Sequence, residues 1–152
     1  MRAIYLKDLK SGSCGNLITI TDEKAHHLQK VARVKVGEKV LLLDGNGLTI
    51  ITSVESLGKK ELQVKVIESK SVEPSGPIFD LAFCTPKKGA CDEIFKIATE
   101  LGIKQIHPVH SDFSSRHPFN EERVEKILES ALIQSNNPFF PKVNEVIGFD
   151  RL

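Results

Sequence analysis

The second half of the chain has two polar segments that each come directly after an apolar run. Residues 85–90 contain Lys87 and Lys88 and follow the run 79–84, and residues 110–117 follow the run 103–109. If both runs are parallel strands, these segments lie beyond their carboxyl ends, where open α/β sheets bind ligands. The two lysines could neutralise a phosphate, although solvated surface lysines account equally well for the same residues. The pattern predicts a polar, substrate-facing sheet edge.

Several other kinds of chemistry are disfavoured. The Ser, His and Asp residues of 110–117 do not form a catalytic triad, because a triad needs geometry across a fold. Neither a glycine-rich phosphate loop nor a nucleophile elbow occurs in the sequence. His26 and His27 are adjacent in a predicted helix, so their rings point in different directions and would not chelate one metal ion. No metal site is predicted.

The three cysteines, Cys14, Cys84 and Cys91, lack the spacing of a zinc or redox motif, which is typical of reduced thiols. Cys91 lies near the start of a predicted helix, where the helix dipole could lower the pKa of a thiol. A semi-buried, inert thiol is the favoured alternative, because the sequence nominates no base to partner it.

The elements around the two polar segments form a βαβ unit. A helix is predicted over 92–101, ended by Gly102, between strands 79–84 and 103–109. Their short connections imply parallel strands with a right-handed crossover. Further elements follow, namely a helix over 121–135 capped by Asn120, a strand over 143–147 and the opening of another helix at 149–152. About three parallel strands would leave an open sheet edge.

The first half is predicted to be mostly β. Strands are indicated at 17–20, 39–43, 48–51 and 61–67, with a hairpin turn at 44–47. Thr21 is the predicted cap of a helix that runs to about Val34. Its apolar face carries Ala25, Leu28 and Ala32, and a second face is basic. Such a barrel-like unit is a common nucleic-acid platform.

Charge and composition differ across a Pro, Gly and Ser-rich linker at 71–77. Residues 1–70 carry 12 Lys and Arg against 8 Asp and Glu, whereas 71–152 carry 9 against 12. A modest basic excess suggests a polyanionic partner, although an ordinary solvated surface explains it nearly as well. No apolar run is long enough to span a bilayer and no secretory signal is visible, so the predicted location is cytoplasmic, with no membrane partner.

The order of motifs resembles the RsmE family of ribosomal RNA methyltransferases, which modify uridine N3. The motifs are Ala25-His26-His27-Leu28 to Arg33, Val36-Gly37-Glu38 to Gly45, Pro86-Lys87, Lys96 to Gly102, Ile106-His107-Pro108 with Ser111, and Gln134-Ser135 to Pro141. The resemblance implies an α+β, two-domain chain. A PUA-like RNA-binding barrel (1–70) and a linker (71–77) would precede the first part of a SPOUT-type α/β parallel-sheet methyltransferase domain (78–152).

The resemblance also implies roles for individual residues. Phosphate contacts would come from Arg2, His26, Lys30, Arg33 and Lys35. Residues that face the target uridine or support the loops around it would be Asp44, Lys87, Glu100 and Ser111, with Lys87 as the catalytic candidate. Lys88 would be a further RNA-binding residue, as would Asp44 and Ser111. Glu100 and Ser111 have a structural alternative, bracing the ends of the sheet.

Departures from the family pattern qualify this assignment. Ser111-Asp112-Phe113 stands where the family has Ser-Glu-Arg, and Asn136 and Asn137 follow Gln134-Ser135 where an Arg is usual. The glycine-rich segments of the carboxy-terminal knot have no counterpart, so the S-adenosylmethionine cofactor implied by the family would have its binding segment outside this chain.

Two functional hypotheses therefore remain open. The chain is expected to be inactive alone, either as part of a small-subunit ribosomal RNA methyltransferase that forms a homodimer when complete, or as a non-catalytic RNA-binding module.

Overall fold

The computed structural model describes residues 1–115 and 119–151, apart from the side chain of Lys88. The chain divides into two compact units, Met1–Glu73 and Pro74–Leu152. The division falls within the segment 71–77 that composition marks as a linker. Among the described residues, no helix combines the length and the hydropathy needed to cross a lipid bilayer.

The first unit is built on a five-stranded sheet with the strand order β1-β3-β4-β5-β2. Strand β1 runs parallel to β3, and the other neighbouring strands are antiparallel. The strands are β1 (Arg2–Tyr5), β2 (Leu17–Thr21), β3 (Lys39–Leu43), β4 (Leu48–Leu57) and β5 (Glu61–Ser71).

Alternation of apolar and polar residues explains why these strands bury one face. In β4, Ile50, Thr52 and Val54 are buried, and in β5 the buried residues Leu62 and Val64 repeat the same spacing of two. The hydroxyl of Thr52 donates to the Val40 carbonyl at 2.9 Å, so this polar atom is satisfied inside the core.

A tight turn joins β3 to β4. One carboxylate oxygen of Asp44 accepts from the backbone N–H groups of Asn46 at 2.7 Å and Leu48 at 2.9 Å. Gly45 and Gly47 have φ angles of 76° and 101°, a region that disfavours other side chains. The hairpin predicted from the Asp-Gly-Asn-Gly run is thus formed, and Asp44 stabilises its turn.

The second unit is a parallel sheet with two long helices. Strands β6 (Asp80–Cys84) and β7 (Gln105–His110) are joined by α2 (Lys88–Glu100), and α3 (Glu121–Ser135) follows. Two short strands, β8 (Lys142–Val143) and β9 (Ile147–Gly148), pair with successive parts of β7. A 3₁₀ turn, Phe149–Arg151, comes last.

Aromatic packing forms the centre of this unit. Phe95 of α2 is completely buried. Its ring meets Phe83 at 5.8 Å and Phe119 at 5.4 Å between centroids, both edge to face, a favoured arrangement for aromatic pairs. A single helical residue therefore links the sheet to the segment that leads into α3.

The predicted fold class, a mostly β unit followed by a parallel α/β unit, is confirmed, but several elements differ. Strand β1 was not predicted, since its four residues are too short to show a clear period. The predicted strand 143–147 is interrupted, because β8 and β9 pair with separate parts of β7. Helix α2 begins four residues before the predicted start, at Lys88.

The first helix also differs from its prediction. Helix α1 (Asp22–His26) continues as a π-helical segment, His27–Val31, and so ends before Val34. Thr21 occupies the cap position, but its hydroxyl donates to the Asp22 carboxylate at 2.7 Å and caps no backbone N–H.

The cap of α3 provides a stability test. The Asn120 side-chain oxygen accepts from the Arg123 N–H at 2.9 Å, as the sequence predicts. We expect Asn120→Ala to destabilise the second unit by about 1 kcal/mol, because an N–H at the helix start loses its partner. Asn120→Asp keeps the accepting oxygen and adds a favourable charge, so it should retain stability in urea denaturation. Equal losses in both variants would contradict this role.

Candidate functional site

A π-helical segment in the first unit combines unusual backbone geometry with exposed cations. The segment His27–Val31 continues α1. Turns of π-helix are rare in proteins, and those that occur are often found at functional sites. Asp22, the first residue of α1, and Arg33, two residues after the segment, have φ angles of 58° and 52°, in the left-handed region that costs energy for non-glycine residues. Buried Ala25 and Leu28 anchor the segment on the core of the unit.

The side chains of His26, Lys30, Arg33 and Lys35, here called the basic patch, are all exposed. Within the described residues, the ion pairs involve none of them. Val31 lies between Lys30 and Arg33 in sequence, Val36 follows Lys35, and the two valines are 66% and 61% exposed. Exposed cations interleaved with apolar side chains suit a polyanion that also presents flat apolar groups, as a nucleic acid does.

A side-chain contact fixes this segment to the sheet. The Gln29 amide donates to the carbonyl of Glu61, the first residue of β5, at 2.8 Å. The N–H groups of Ala32 and Val34 return to the carbonyls of His27 and Leu28. Backbone hydrogen bonds therefore enforce the tight exit at Arg33, and no sequence period could have revealed it.

Arg2 and Asp44 lie near opposite ends of β3. Arg2 pairs with Val40 of β3, and Asp44 comes four residues after Val40. At the usual rise of a strand, Val40 and Asp44 are roughly 13 Å apart. The turn hydrogen bonds give Asp44 a sufficient structural role. RNA contacts by Arg2 and Asp44 remain predictions.

In the second unit, polar groups gather at the carboxyl ends of β6 and β7. The buried hydroxyl of Thr85 donates to the Ser115 carbonyl at 2.7 Å and lies 3.0 Å from Nδ1 of His110. The Ser115 N–H returns to the Thr85 carbonyl at 2.8 Å. These bonds hold the two strand-end loops together, as the sheet topology predicts.

Ser111 is half-buried in a local turn. Its N–H donates to the Ser114 hydroxyl at 2.9 Å, and that hydroxyl donates to the Ser111 carbonyl at 3.0 Å. Phe113, at the tip of the turn, is fully exposed. The structure thus places Ser111 beside the strand-end loops, and its predicted contact with RNA remains a prediction.

Lys87 and Glu100 are at opposite ends of α2. Lys87 is exposed at the N-cap position, next to a first turn without acidic residues or a side-chain cap. Glu100 is the last helical residue, roughly 20 Å away at 1.5 Å per residue, so the two do not share one site. Lys88 begins the helix, and its side chain lies outside the described part, as do Arg116 and His117 of the second loop.

Cys91 has the environment of an inert thiol. It is buried, and its Sγ donates to the Pro86 carbonyl at 3.5 Å. Burial and the neighbouring Asp92 raise the pKa of Cys91, which opposes the lowering that a helix start could provide. The structure therefore favours the inert alternative over a nucleophilic role.

Two asparagines where the family pattern has other residues have structural roles. Asn136 ends α3 with a φ of 55°, a left-handed cap conformation that Asn tolerates. The Asn137 amide donates to the Thr99 carbonyl at 2.7 Å, and its oxygen accepts from the Phe139 N–H at 3.0 Å. Sequence reasoning missed this link between α3 and α2, because it depends on tertiary contact.

A groove of about 520 Å³ between α2 and α3 is an alternative ligand site. Its charged residues pair with one another, Arg123 with Asp92 and Lys126 with Glu122. The ion pair with Lys126 lowers the pKa of Glu122. Its charges are thus already satisfied, and no group of described His, Cys, Asp and Glu side chains could hold a metal ion.

The thiols differ in a measurable way. Cys14 and Cys84 are exposed and Cys91 is buried. Because a raised pKa leaves less thiolate at a given pH, iodoacetamide at pH 7.5 should alkylate Cys14 and Cys84 well before Cys91. Peptide mass spectrometry would show the order, and urea should abolish the difference. Rapid labelling of Cys91 in the folded chain would refute its assignment as inert.

Each of the two units matches the model of a known protein family. Residues 74–152 match the model of an RNA methyltransferase domain, and residues 20–67 match the model of an RNA methyltransferase PUA domain. The methyltransferase match includes the strand-end loops, and the PUA match includes the basic patch.

Individual proteins of similar sequence are also RNA methyltransferases by name. Ribosomal RNA small subunit methyltransferase E of Synechocystis is 28% identical over 87% of this chain and 44% of that protein, and its Bacillus subtilis counterpart is 27% identical over 88% and 55%. The chain thus spans about half the length of the curated relatives that it matches.

Solved structures show the same fold. The crystal structure of ribosomal RNA small subunit methyltransferase E from Neisseria gonorrhoeae, bound to S-adenosyl methionine, has a TM-score of 0.83 at 24% identity and covers 99% of this chain and 63% of that one. A putative methyltransferase from Legionella pneumophila, also with bound cofactor, has a TM-score of 0.79 at 21% identity, covering 98% and 64%. The methyltransferase domain model alone matches residues 74–152, which is more than half of this chain. The chain therefore belongs to the RNA methyltransferase family.

Proposed function

We propose that this chain supplies RNA binding and part of the catalytic domain of an S-adenosylmethionine-dependent enzyme that methylates uridine N3 in small-subunit ribosomal RNA. The observation that carries the proposal is the exposed basic patch within a unit that matches an RNA methyltransferase PUA domain. The enzyme would act in the cytoplasm, and the complete protein would be a homodimer. Both relatives are named as methyltransferases of small-subunit ribosomal RNA, which supports the substrate class.

The basic patch has the properties that RNA binding requires. Its four side chains project from one short segment, so they can follow a phosphate backbone. Val31 and Val36 add apolar contact for a sugar or a base. Because backbone hydrogen bonds of Ala32 and Val34 fix the chain at Arg33, the guanidinium is presented with little loss of backbone freedom on binding.

The described strand-end groups are a poor fit for the positively charged cofactor. The hydroxyls of Thr85 and Ser114 donate within the loops, and Lys87 beside a helix N-terminus favours an anion over a sulfonium cation. When bound, the cofactor would supply the methyl group. The described residues of this chain would bind and orient the RNA.

The RNA-binding proposal predicts a specific salt dependence. Lys30→Gln combined with Lys35→Gln should weaken binding to a small-subunit ribosomal RNA fragment. If each lysine contacts one phosphate, the slope of log K against log salt should become shallower by roughly 1.4 to 1.8, because fewer counterions are released. Fluorescence anisotropy at four or more salt concentrations would measure this slope.

A matched control removes the same charge elsewhere. Lys104 and Lys142 are exposed in the second unit, and Lys104→Gln with Lys142→Gln should leave the slope near that of the parent chain. An equal change of slope in both double variants would mean that binding follows net charge alone, and the basic patch would lose its role.

The second candidate function is a non-catalytic RNA-binding module, which the exposed basic patch supports as well as it supports the enzyme. Titration of S-adenosylmethionine into the chain, with and without RNA, separates the candidates. We expect salt-sensitive RNA binding without cofactor binding or methyl transfer by this chain alone. Transfer of a labelled methyl group to uridine N3 by the 152-residue chain would overturn that expectation and establish the enzyme directly.

A further inference from the structure

We propose that Nε2 of His110 is the acceptor for the N3–H group of the target uracil, with Thr85 as the positioning residue that orients the imidazole. The inference rests on the proposed function, which makes uridine in RNA the substrate. It assigns a role to a residue that the motif comparison leaves without one.

The two hydrogen bonds of the Thr85 hydroxyl determine which ring nitrogen of His110 carries the hydrogen. A hydroxyl has one hydrogen, and Thr85 lies 2.7 Å from the Ser115 carbonyl, which can only accept. The Thr85 hydrogen therefore points to Ser115. Nδ1 of His110, 3.0 Å from the same hydroxyl oxygen, must then be the donor. In the neutral imidazole this leaves Nε2 with a bare lone pair.

The surroundings hold this arrangement in place. Thr85 is 1% exposed, and its backbone N–H and carbonyl bond to Val109 and Ser115, so the hydroxyl has little freedom to turn elsewhere. His110 is half-buried, at the end of β7 and beside Gly148 of β9. Within the described part of the chain, the His110 ring forms its hydrogen bond with Thr85, through Nδ1.

A bare Nε2 distinguishes uracil from cytosine. Uracil presents N3–H as a donor, whereas the corresponding ring nitrogen of cytosine is an acceptor and would face the lone pair unfavourably. The same proton must leave before N3 can bond to carbon, so an acceptor placed there serves both recognition and proton removal. Lys87, at the start of α2, belongs to the adjoining loop and can attract the RNA strand.

The tautomer can be measured without RNA or cofactor. In a ¹⁵N-labelled chain at mildly alkaline pH, long-range ¹H–¹⁵N spectra should show His110 with a protonated Nδ1 and a bare Nε2. The chain has five histidines, so His110→Phe assigns the signal by its disappearance. Thr85→Val should lose this tautomer preference and Thr85→Ser should keep it. A protonated Nε2 in the parent chain would overturn the proposal.

Binding tests the acceptor role. One single-stranded oligonucleotide carries a central uridine, and a second carries cytidine at the same position, whose N3 has a lone pair and no hydrogen. The parent chain should bind the uridine probe about three- to tenfold more tightly, as expected for one hydrogen bond. His110→Phe, which keeps an aromatic ring but offers no acceptor, should bind both equally, and Thr85→Ser should retain the preference.

The outcomes distinguish this inference from the function on which it rests. RNA binding without discrimination between the probes by the parent chain would overturn the role of His110 and leave the proposed function standing. If His110→Phe still preferred the uridine probe, the role of His110 would likewise be overturned and the proposed function would stand. Failure of the chain to bind RNA at all would overturn the proposed function, and the uracil assignment with it.

Discussion

The parallel pairing of β6 with β7 is the constraint from which the strand-end site follows. It sets Cys84 opposite Val109, so Thr85 and His110 leave the sheet side by side. Parallel strands require a crossover, and α2 supplies it, with its N-terminus at the same edge as the strand ends. Phe95 buries that helix on the sheet. A shift of register by one residue would separate the Thr85 hydroxyl from the His110 ring.

In the first unit, burial in the core offsets the strain of an irregular backbone segment. Left-handed conformations at Asp22 and Arg33 and a π-helical turn between them cost free energy, on the order of 1 to 3 kcal/mol for each strained residue. Burial of Ala25 and Leu28 and the bond from Gln29 to β5 offset this cost. The strained segment carries the basic patch, which suits a surface whose side chains must be pre-arranged for a partner.

Residues that depart from the family pattern have physical roles in this chain. Asn136 and Asn137 follow α3 and tie it to Thr99 of α2, so they give a structural link at this point. Phe113 replaces a guanidinium with an exposed ring at a loop tip. An exposed aromatic ring beside a lysine-bearing loop can stack on a base, which is compatible with RNA as the partner.

The sequence by itself determined the fold class, the hairpin at Asp44, the cap of α3 at Asn120 and the position of the strand-end loops. Local rules govern these features, namely side-chain period, turn chemistry and capping. Only the tertiary structure decided the exit at Arg33, the interruption between β8 and β9, the separation of Glu100 from Lys87 and the orientation of His110. These depend on which distant groups share a hydrogen bond or a core, and such contacts leave no period in the sequence.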